Sequence, residues 1–532
     1  MTTVIANRQT SRLTHQVNFR ATPQEAADAL KHYTHRFITL GLTCSSNTTD
    51  HTEGVFTSQT RITLTGDQQL TANLTICQPA RAFSADVDTY TATAVISSER
   101  CNQELIDNLY SELDHLPYTG TELAHLRRQF PLCQQFAASM NPATMANVAF
   151  YMSIHHMGDF VAMMDAMIAM GANPAHITIM DKGYPYTNRE RVDGWLRHTL
   201  GIQVDYYKDR AASIRGHVER AKKSGLKTLI MDDGGYTWPV VAEHLPHEMD
   251  HFIGIVEQTM SGIWKLEGQP LPLPVFSVAE SDLKATVEPY GVAAAAVRAL
   301  HDRIPHEKLE GRPVLVLGYG RIGRQVALIL RDMRMRVAVY DPNTVALVSA
   351  HEEGFETSRD LNALIERHQP LLVCGNAGRG SLGRDNLKAF KNDAYLVSGT
   401  SRTYEFDLDA FAQAAEEVVD HGILGHTYKL AGGVELCVVG HGMPLNFYHA
   451  ESLPNRYIDM IIAALLQGGT TLLSPDSGGF QPGHNLELTN AILASSSVLD
   501  TYLDTYADPS APRDLLLPAG RPYTGIPWTF DQ

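Results

Sequence analysis

The sequence has no apolar stretch long enough to cross a bilayer. The best run near its C-terminal end, YIDMIIAALL (457–466), falls short of the ~20 residues a spanning helix needs and carries Asp459. The opening MTTVIANRQTSRLTHQ has no apolar core, so no secretory leader is expected. Cysteine is scarce: Cys44, Cys77, Cys101, Cys133, Cys374 and Cys437 are the six in 532 residues, and none forms a CxxC pair. That excludes a disulfide scaffold and predicts reduced, mostly buried thiols in a cytoplasmic protein. Positive charge is also short, 43 basic against 59 acidic residues for a net charge of −16. Nucleic acid and anionic membrane surfaces both need a basic footprint, so neither is the expected partner. Internal repeats and low-complexity tracts are absent, and the length allows two or three domains with a sizeable core.

What is present falls into blocks. Residues 1–115 read as a small α+β module: a helix pattern in TPQEAADALKHYTHRFITLG, capped by Thr22, then strand-like GVFTSQTRITLTG, QLTANLTICQ and TYTATAVISS, then a helix pattern in NQELIDNLYSELDHL. No chemical motif lies in it. From residue 116 short apolar strands alternate with helices: HITIMD, QVDYYK, KTLIMDDGG, RPVLVLGYG, RVAVYD, PLLVCGNAG and DAYLVSG. That alternation implies βαβ crossovers and parallel sheets. The expected class is α/β, with two Rossmann-like parallel-sheet domains behind the N-terminal module. The Pro- and Gly-rich end, DPSAPRDLLLPAGRPYTGIPWTFDQ, reads as an extended arm.

One stretch carries a specific signal. In RPVLVLGYGRIGRQVALILRD (312–332) a strand runs into a glycine turn and an amphipathic helix, and the next strand, RVAVYD, ends in Asp341. Gly318 permits the tight turn, Gly320 lets backbone approach a pyrophosphate, and Gly323 lets helix and strand pack closely. The diphosphate would lie along Gly318, Gly320, Arg321, Ile322 and Gly323, on the amides and dipole of the helix N-terminus. Asp341 would accept the adenosine ribose hydroxyls. A carboxylate there repels a 2′-phosphate, which favours NAD over NADP.

With its flanks, this turn resembles the adenosylhomocysteinase family. The likeness runs over about 116–470 through six landmarks in the family's order. They are LIMDDGGYTW, GIVEQTMSGIWKLEG, PVFSVAESDLKATVEPYG, GYGRIGRQ, LGRDNLKAFKNDAYLVSGTSRTYEFDL and PLNFYHAESLPNRYIDM. The resemblance implies a substrate domain over 116–291, completed by 446–500, and an NAD domain over 292–445, with 501–532 as a tail. It implies a dimer or tetramer. In that family a tightly held NAD oxidises a ribose hydroxyl, the ketone acidifies the neighbouring C–H, a thiol is eliminated, water adds and the ketone is reduced again. Without that ketone the C–H is too weak an acid for any side-chain base.

Carried over residue by residue, Lys284 matches the family's active-site lysine beside the oxidised hydroxyl. His155, in MSIHHMGDF, matches the substrate-domain histidine, and Asp233 the catalytic aspartate. Glu288 falls near a second aspartate, one residue short around Pro289. Thr259 and Ser261 match hydroxyls at the nicotinamide ribose; Asn376, Gly399 and Thr400 fall in loops bordering the cofactor. Departures are as informative. Gln258 replaces a glutamate, Ser401 a histidine, Val292 a cysteine and Met157 a threonine that contacts the nucleoside. Pro444 stands at a family histidine, with His441 and His449 close by but out of register, and GIPWTFDQ has no match for the family's terminal Lys and Tyr.

A kept cofactor turn beside a rewritten pocket predicts an NAD-dependent enzyme that oxidises a different nucleoside-like or hydroxylated small molecule, with or without elimination. Two alternatives stay open: adenosylhomocysteine hydrolysis proper, and a non-catalytic NAD-binding regulator or scaffold. No metal centre is expected. His244, His247 and His251 have suggestive spacing, but Pro246 interrupts them and no further ligand completes a set, so they read as a solvated surface. MMDAMIAMGA reads as core.

Overall fold

The computed structural model describes residues 11–39, 46–52, 55–62, 70–77, 89–98, 111–378, 380–399, 405–450 and 452–507. The chain divides into two compact units: 1–129 with 188–202, and 130–187 with 203–532.

The first unit is built on a five-stranded antiparallel sheet of β1 (Ser11–Arg20), β2 (Ser46–Thr52), β3 (Val55–Ile62), β4 (Leu70–Cys77) and β5 (Thr89–Ser98), in the order β1-β5-β4-β3-β2. The helix Pro23–Thr39 buries Ala26, Ala29, Tyr33 and Phe37, an i, i+3, i+7, i+11 stripe. A buried ion pair, Arg191 Nη1 to Glu122 Oε1 at 2.8 Å, also bonds the Leu116 carbonyl at 2.8 Å through Nε. Most of the helix expected over 102–116 lies outside the described residues.

The second unit holds two sheets. The first has seven strands, all parallel, in the order β20-β11-β10-β9-β6-β7-β8. They are β6 (Val148–Ser153), β7 (Ile177–Asp181), β8 (Gln203–Tyr206), β9 (Lys227–Asp232), β10 (Phe252–Glu257), β11 (Pro274–Ser277) and β20 (Gly483–His484). Strands β6, β7, β10 and β11 are near-continuous apolar runs, as a parallel sheet covered on both faces requires. The methionine-rich helix Gly158–Ala169 buries Met163, Met164 and Met167. The helix Asn455–Leu473 returns from far along the chain to pack on β10.

The second sheet contains β12 (Pro313–Leu317), β13 (Arg336–Tyr340), β14 (Glu356–Thr357), β15 (Leu372–Gly375), β16 (Ala394–Ser398), β17 (Ala415–Asp420), β18 (Gly425–Leu430) and β19 (Glu435–Val439). Its order is β14-β13-β12-β15-β16-β19-β18-β17, parallel except for the β18 and β17 edge. From β12 the chain first builds outward to β14, then crosses to β15 on the other side. That reversal opens a crevice beyond the carboxyl ends of β12 and β15.

One expectation needs correction. His251 is not a solvated surface residue: it is buried, and its Nε2 lies 2.9 Å from Thr228 Oγ1. The helix Val498–Tyr506 ends just before the segment read as an arm, and the Tyr506 hydroxyl donates to Asp459 Oδ2 at 2.5 Å. The arm itself, from residue 508, lies outside the described residues, as do Thr400 and Ser401.

Candidate functional site

Strand register sets the site. Ser153 pairs with Asp232, Asp232 with Glu257, and Glu257 with Ser277, so four neighbouring strands of the first sheet end in one row. All four residues are buried. Loops leaving that row carry His155, Asp233, Gln258 and, two residues before Lys284, the start of the helix Asp282–Arg303.

Asp233 is the hub. Its Oδ2 lies 2.9 Å from His155 Nε2 and 3.1 Å from Lys182 Nζ, and Lys182 also donates to the Asp233 carbonyl at 2.8 Å. Burial works to raise the Asp233 carboxyl, but Lys182 and His155 overcome it and hold it well below the usual carboxylate range. His155 goes the other way: burial, then the Lys182 charge, lower its imidazolium to about 4. The hydrogen bonds are satisfied by a neutral imidazole that accepts Lys182 Nζ–H at Nε2, 3.0 Å away, and donates Nδ1–H to the Tyr186 hydroxyl. Phe447 stacks on the ring with centroids 4.1 Å apart, and Tyr184 and Tyr186 meet it edge-on. The imidazole is therefore fixed in tautomer and in orientation.

Lys284 sits in the first turn of its helix, where Ser281 accepts its backbone N–H at 3.3 Å. Its Nζ donates to the Gln258 carbonyl at 2.6 Å and pairs with Glu288 Oε1, one turn on, at 3.2 Å. Burial raises the Glu288 carboxyl against the pull of Lys284. Glu257, beside the substituted Gln258, is a support: Oε1 accepts the amides of Gly234 and Thr259 at 3.0 and 2.9 Å, and Oε2 that of Gly235 at 3.2 Å. Thr259 also donates its hydroxyl to Glu257 at 3.1 Å and lies 3.2 Å from the Ser261 hydroxyl.

His155, Asp233 and Gln258 open onto a pocket whose other walls include Met157, Phe160, Met163 and Ile462. The pocket is thus polar where the strands end and apolar toward the helices Gly158–Ala169 and Asn455–Leu473.

In the second sheet the same row logic holds: Leu317 pairs with Tyr340 and Gly375, and Gly375 with Ser398. The residues that follow are Gly318, Asp341, Asn376 and Gly399. Gly318 has φ 89°, and a Cβ there would lie 2.9 Å from the Ala377 amide nitrogen. A Cβ on Gly323 would come within 1.9 Å of the Gly318 carbonyl oxygen, whereas one on Gly320 would meet open space. Gly320 and Arg321, at the start of the helix Arg321–Asp332, are exposed, and Ile322 is half-buried. Asp341 accepts the Tyr319 amide at 2.6 Å and the Asn343 amide at 2.7 Å, one on each oxygen, which leaves each oxygen a further lone pair. Asn376 donates to the Cys374 carbonyl at 3.0 Å, while its buried Oδ1 has no protein partner. A dinucleotide fits these residues: open backbone at Gly320, a glycine packed beneath it, and an unsatisfied acceptor at the crevice.

Lys182, Tyr184, Tyr186 and Phe447 were not legible as site residues. The segment KGY directly follows β7, and position at a carboxyl strand end was the one signal for Lys182. Nothing in sequence brings Phe447 to His155.

Residues 291–424 match the NAD-binding domain of D-isomer specific 2-hydroxyacid dehydrogenases. The chain is 26% identical over 302 residues to an adenosylhomocysteinase of Gloeothece citriformis, covering 56% of this chain and 69% of that protein. It is 25% identical to an S-inosyl-L-homocysteine hydrolase of Methanopyrus kandleri, covering 48% and 61%. Among solved structures, a phosphoglycerate oxidoreductase of Vibrio cholerae aligns with 55% of this chain and 97% of its own, at 15% identity and a TM-score of 0.33.

Proposed function

We propose, for a chain that is a divergent relative of the adenosylhomocysteinases and carries an NAD-binding domain, that it oxidises a hydroxyl of a nucleoside-like or other hydroxylated small molecule, with or without elimination, and does not turn over adenosylhomocysteine as its main substrate. The observation that carries this reading is the convergence of His155, Asp233 and Lys284, with Lys182 and Glu288, on buried strand ends beside a pocket walled by Met157 and Phe160. Met157 stands where the family has a nucleoside-contacting hydroxyl, so the pocket offers an apolar surface in place of a hydrogen bond.

Gly318, Gly320, Arg321, Ile322 and Gly323 would hold the diphosphate, and Asp341 the adenosine ribose. Thr259, Ser261, Asn376, Gly399 and Thr400 would border the nicotinamide end. Bound NAD would supply the oxidising power that turns a secondary alcohol into a ketone and so acidifies its neighbour. Lys284 Nζ accepts or returns the proton at the reacting carbon or oxygen, with Glu288 Oε1 as the next site for it. His155, neutral and held by Lys182, Tyr186 and Phe447, orients the substrate's polar group. The molecule works in the cytoplasm as a dimer or tetramer.

The test is to purify the protein with its cofactor, supply NAD with a panel of nucleosides and polyols, and follow reduced nicotinamide and released thiol. Oxidation of a panel member that is lost in Lys284→Ala supports the reading. Rapid thiol release from adenosylhomocysteine would show instead hydrolysis proper. Tight NAD binding with no turnover, and cellular effects unchanged by Lys284→Ala, would favour the regulator.

A further inference from the structure

A second cluster lies at the far edge of the second sheet. The hairpin β17–β18 pairs Asp420 with His426, and β18 pairs in turn with β19, whose end leads into the turn Gly440–Gly442. His441 in that turn has φ 55° and ψ 26°, between two glycines that also have positive φ. This left-handed backbone aims the imidazole back at the hairpin. Among the described residues, Asp420, His426 and His441 form the one group of three potential metal ligands, with a ligating atom of each within 4.8 Å of the others.

The hydrogen bonds decide the tautomers. His441 Nε2 lies 2.9 Å from the Gly422 carbonyl. A carbonyl only accepts, so Nε2 carries the proton and a neutral His441 presents a bare lone pair at Nδ1. That Nδ1 lies 3.2 Å from Nδ1 of His426. The other nitrogen of His426, Nε2, faces Asp420 Oδ1 at 3.7 Å, beyond hydrogen-bond reach. Two ring nitrogens so placed need a proton or a cation between them. The spacing is that of two ligands on one tetrahedral ion: metal–nitrogen bonds of ~2.0 Å put neighbouring ligand atoms ~3.3 Å apart. A backbone carbonyl on the outer N–H is also how metal-binding histidines are usually held.

We propose that His426 Nδ1 and His441 Nδ1 bind a divalent late transition metal, zinc foremost, with the exposed Asp420 carboxylate turning in as third ligand and water completing the set. Imidazole and carboxylate ligands in a tetrahedral arrangement suit Zn²⁺ over Mg²⁺ or Ca²⁺. The ion staples the turn to the hairpin. The segment beyond that turn runs directly to Phe447, which covers His155, so the ion steadies the cover of the candidate site without touching it.

The experiment uses the full-length chain, stripped with chelator and dialysed, then titrated with ZnCl₂ by calorimetry and with CoCl₂ by visible absorption. Expected is one zinc per chain and a tetrahedral cobalt spectrum. His426→Asn and His441→Gly should each weaken binding by tenfold or more, and Asp420→Asn by less. His441→Gly suits the left-handed backbone, so its metal-free melting temperature should equal or exceed that of the parent, which separates loss of a ligand from loss of fold. His244→Ala/His247→Ala, at exposed histidines elsewhere, should change nothing. Absence of saturable binding at one ion per chain, or binding that persists in both histidine variants, overturns the proposal. So does an NMR titration in which the two imidazoles share one proton and zinc leaves both resonances unmoved.

Discussion

Lys182 decides the charge state of the candidate site. It is buried, and it acts on both partners at once, opposing burial to hold Asp233 ionised and adding to burial to hold His155 neutral. Lys182→Met should therefore cost about 3–5 kcal/mol in stability, because Asp233 loses its main compensating charge. In the same variant His155 should titrate above its present value of about 4. Chemical denaturation checks the first outcome and histidine NMR the second; a variant of unchanged stability would mean that Lys182 is not the counter-ion of Asp233. Sequence carried His155, Asp233, Lys284 and Glu288 into view through a family likeness, and the structure places the first two just beyond one row of strand ends and the last two on the helix Asp282–Arg303. It left Lys182 and the aromatic cover of His155 out of view. Those contacts depend on which loop follows which strand in the sheet, and pattern along the chain does not encode that order. The histidines point the same way. The suggestive spacing at 244, 247 and 251 gathers nothing, while Asp420, His426 and His441 meet through a hairpin and a left-handed turn that spacing does not reveal.

At the level of elements, the dinucleotide turn was the most legible feature, because each glycine answers a separate steric demand. Those demands make opposite predictions for neighbouring glycines. Gly323→Ala drives a methyl to within 1.9 Å of the Gly318 carbonyl oxygen. It should cost about 1–3 kcal/mol by overpacking and abolish NAD binding with it. Gly320→Ala meets open space at an ordinary φ of −75°, so stability should stay within about 0.5 kcal/mol. NAD affinity should still fall by roughly tenfold, the equivalent of about 1.4 kcal/mol, because the methyl occupies the face offered to the diphosphate. Melting curves with and without NAD, beside a fluorescence titration, separate the two. Equal loss of stability in both variants would remove the distinction. Among the elements that sequence missed are the polar strands β1 and β2, SRLTHQVNFR and SNTTDHT. Both lie at an edge of the N-terminal sheet, where one backbone side is unpaired and composition signals strand weakly.

For the molecule as a whole, the long-range contact that matters most to the second unit is one carboxylate. Asp459, fully buried in the helix Asn455–Leu473, accepts the amides of Leu132 and Cys133 at 2.9 and 2.8 Å and the Tyr506 hydroxyl at 2.5 Å. It thereby caps the start of the helix Pro131–Ser139 from over 300 residues away and ties down the helix Val498–Tyr506. Burial, opposed by Tyr506, raises its carboxyl from 3.8 to about 6. A raised acid favours the folded state fully below its unfolded pKa, and that gain is lost as pH climbs through the folded value. His155 has the reverse sign: its contribution is present above 6.5 and is lost as pH falls toward about 4. Each shift is worth on the order of 3 kcal/mol, and the two windows overlap, so the parent's stability should change little between about pH 4 and 6.5 on account of these groups. Asp459→Asn removes one side of that balance. It should be about 1–3 kcal/mol less stable at neutral pH, since its amide cannot accept all three donors, and its stability should rise with pH across the window where the parent's stays level. Urea unfolding of both proteins at half-unit pH steps measures the difference. Parallel curves would mean that Asp459 titrates in the folded protein as it does in the unfolded chain, and that the link between the two ends of this unit is carried by packing alone.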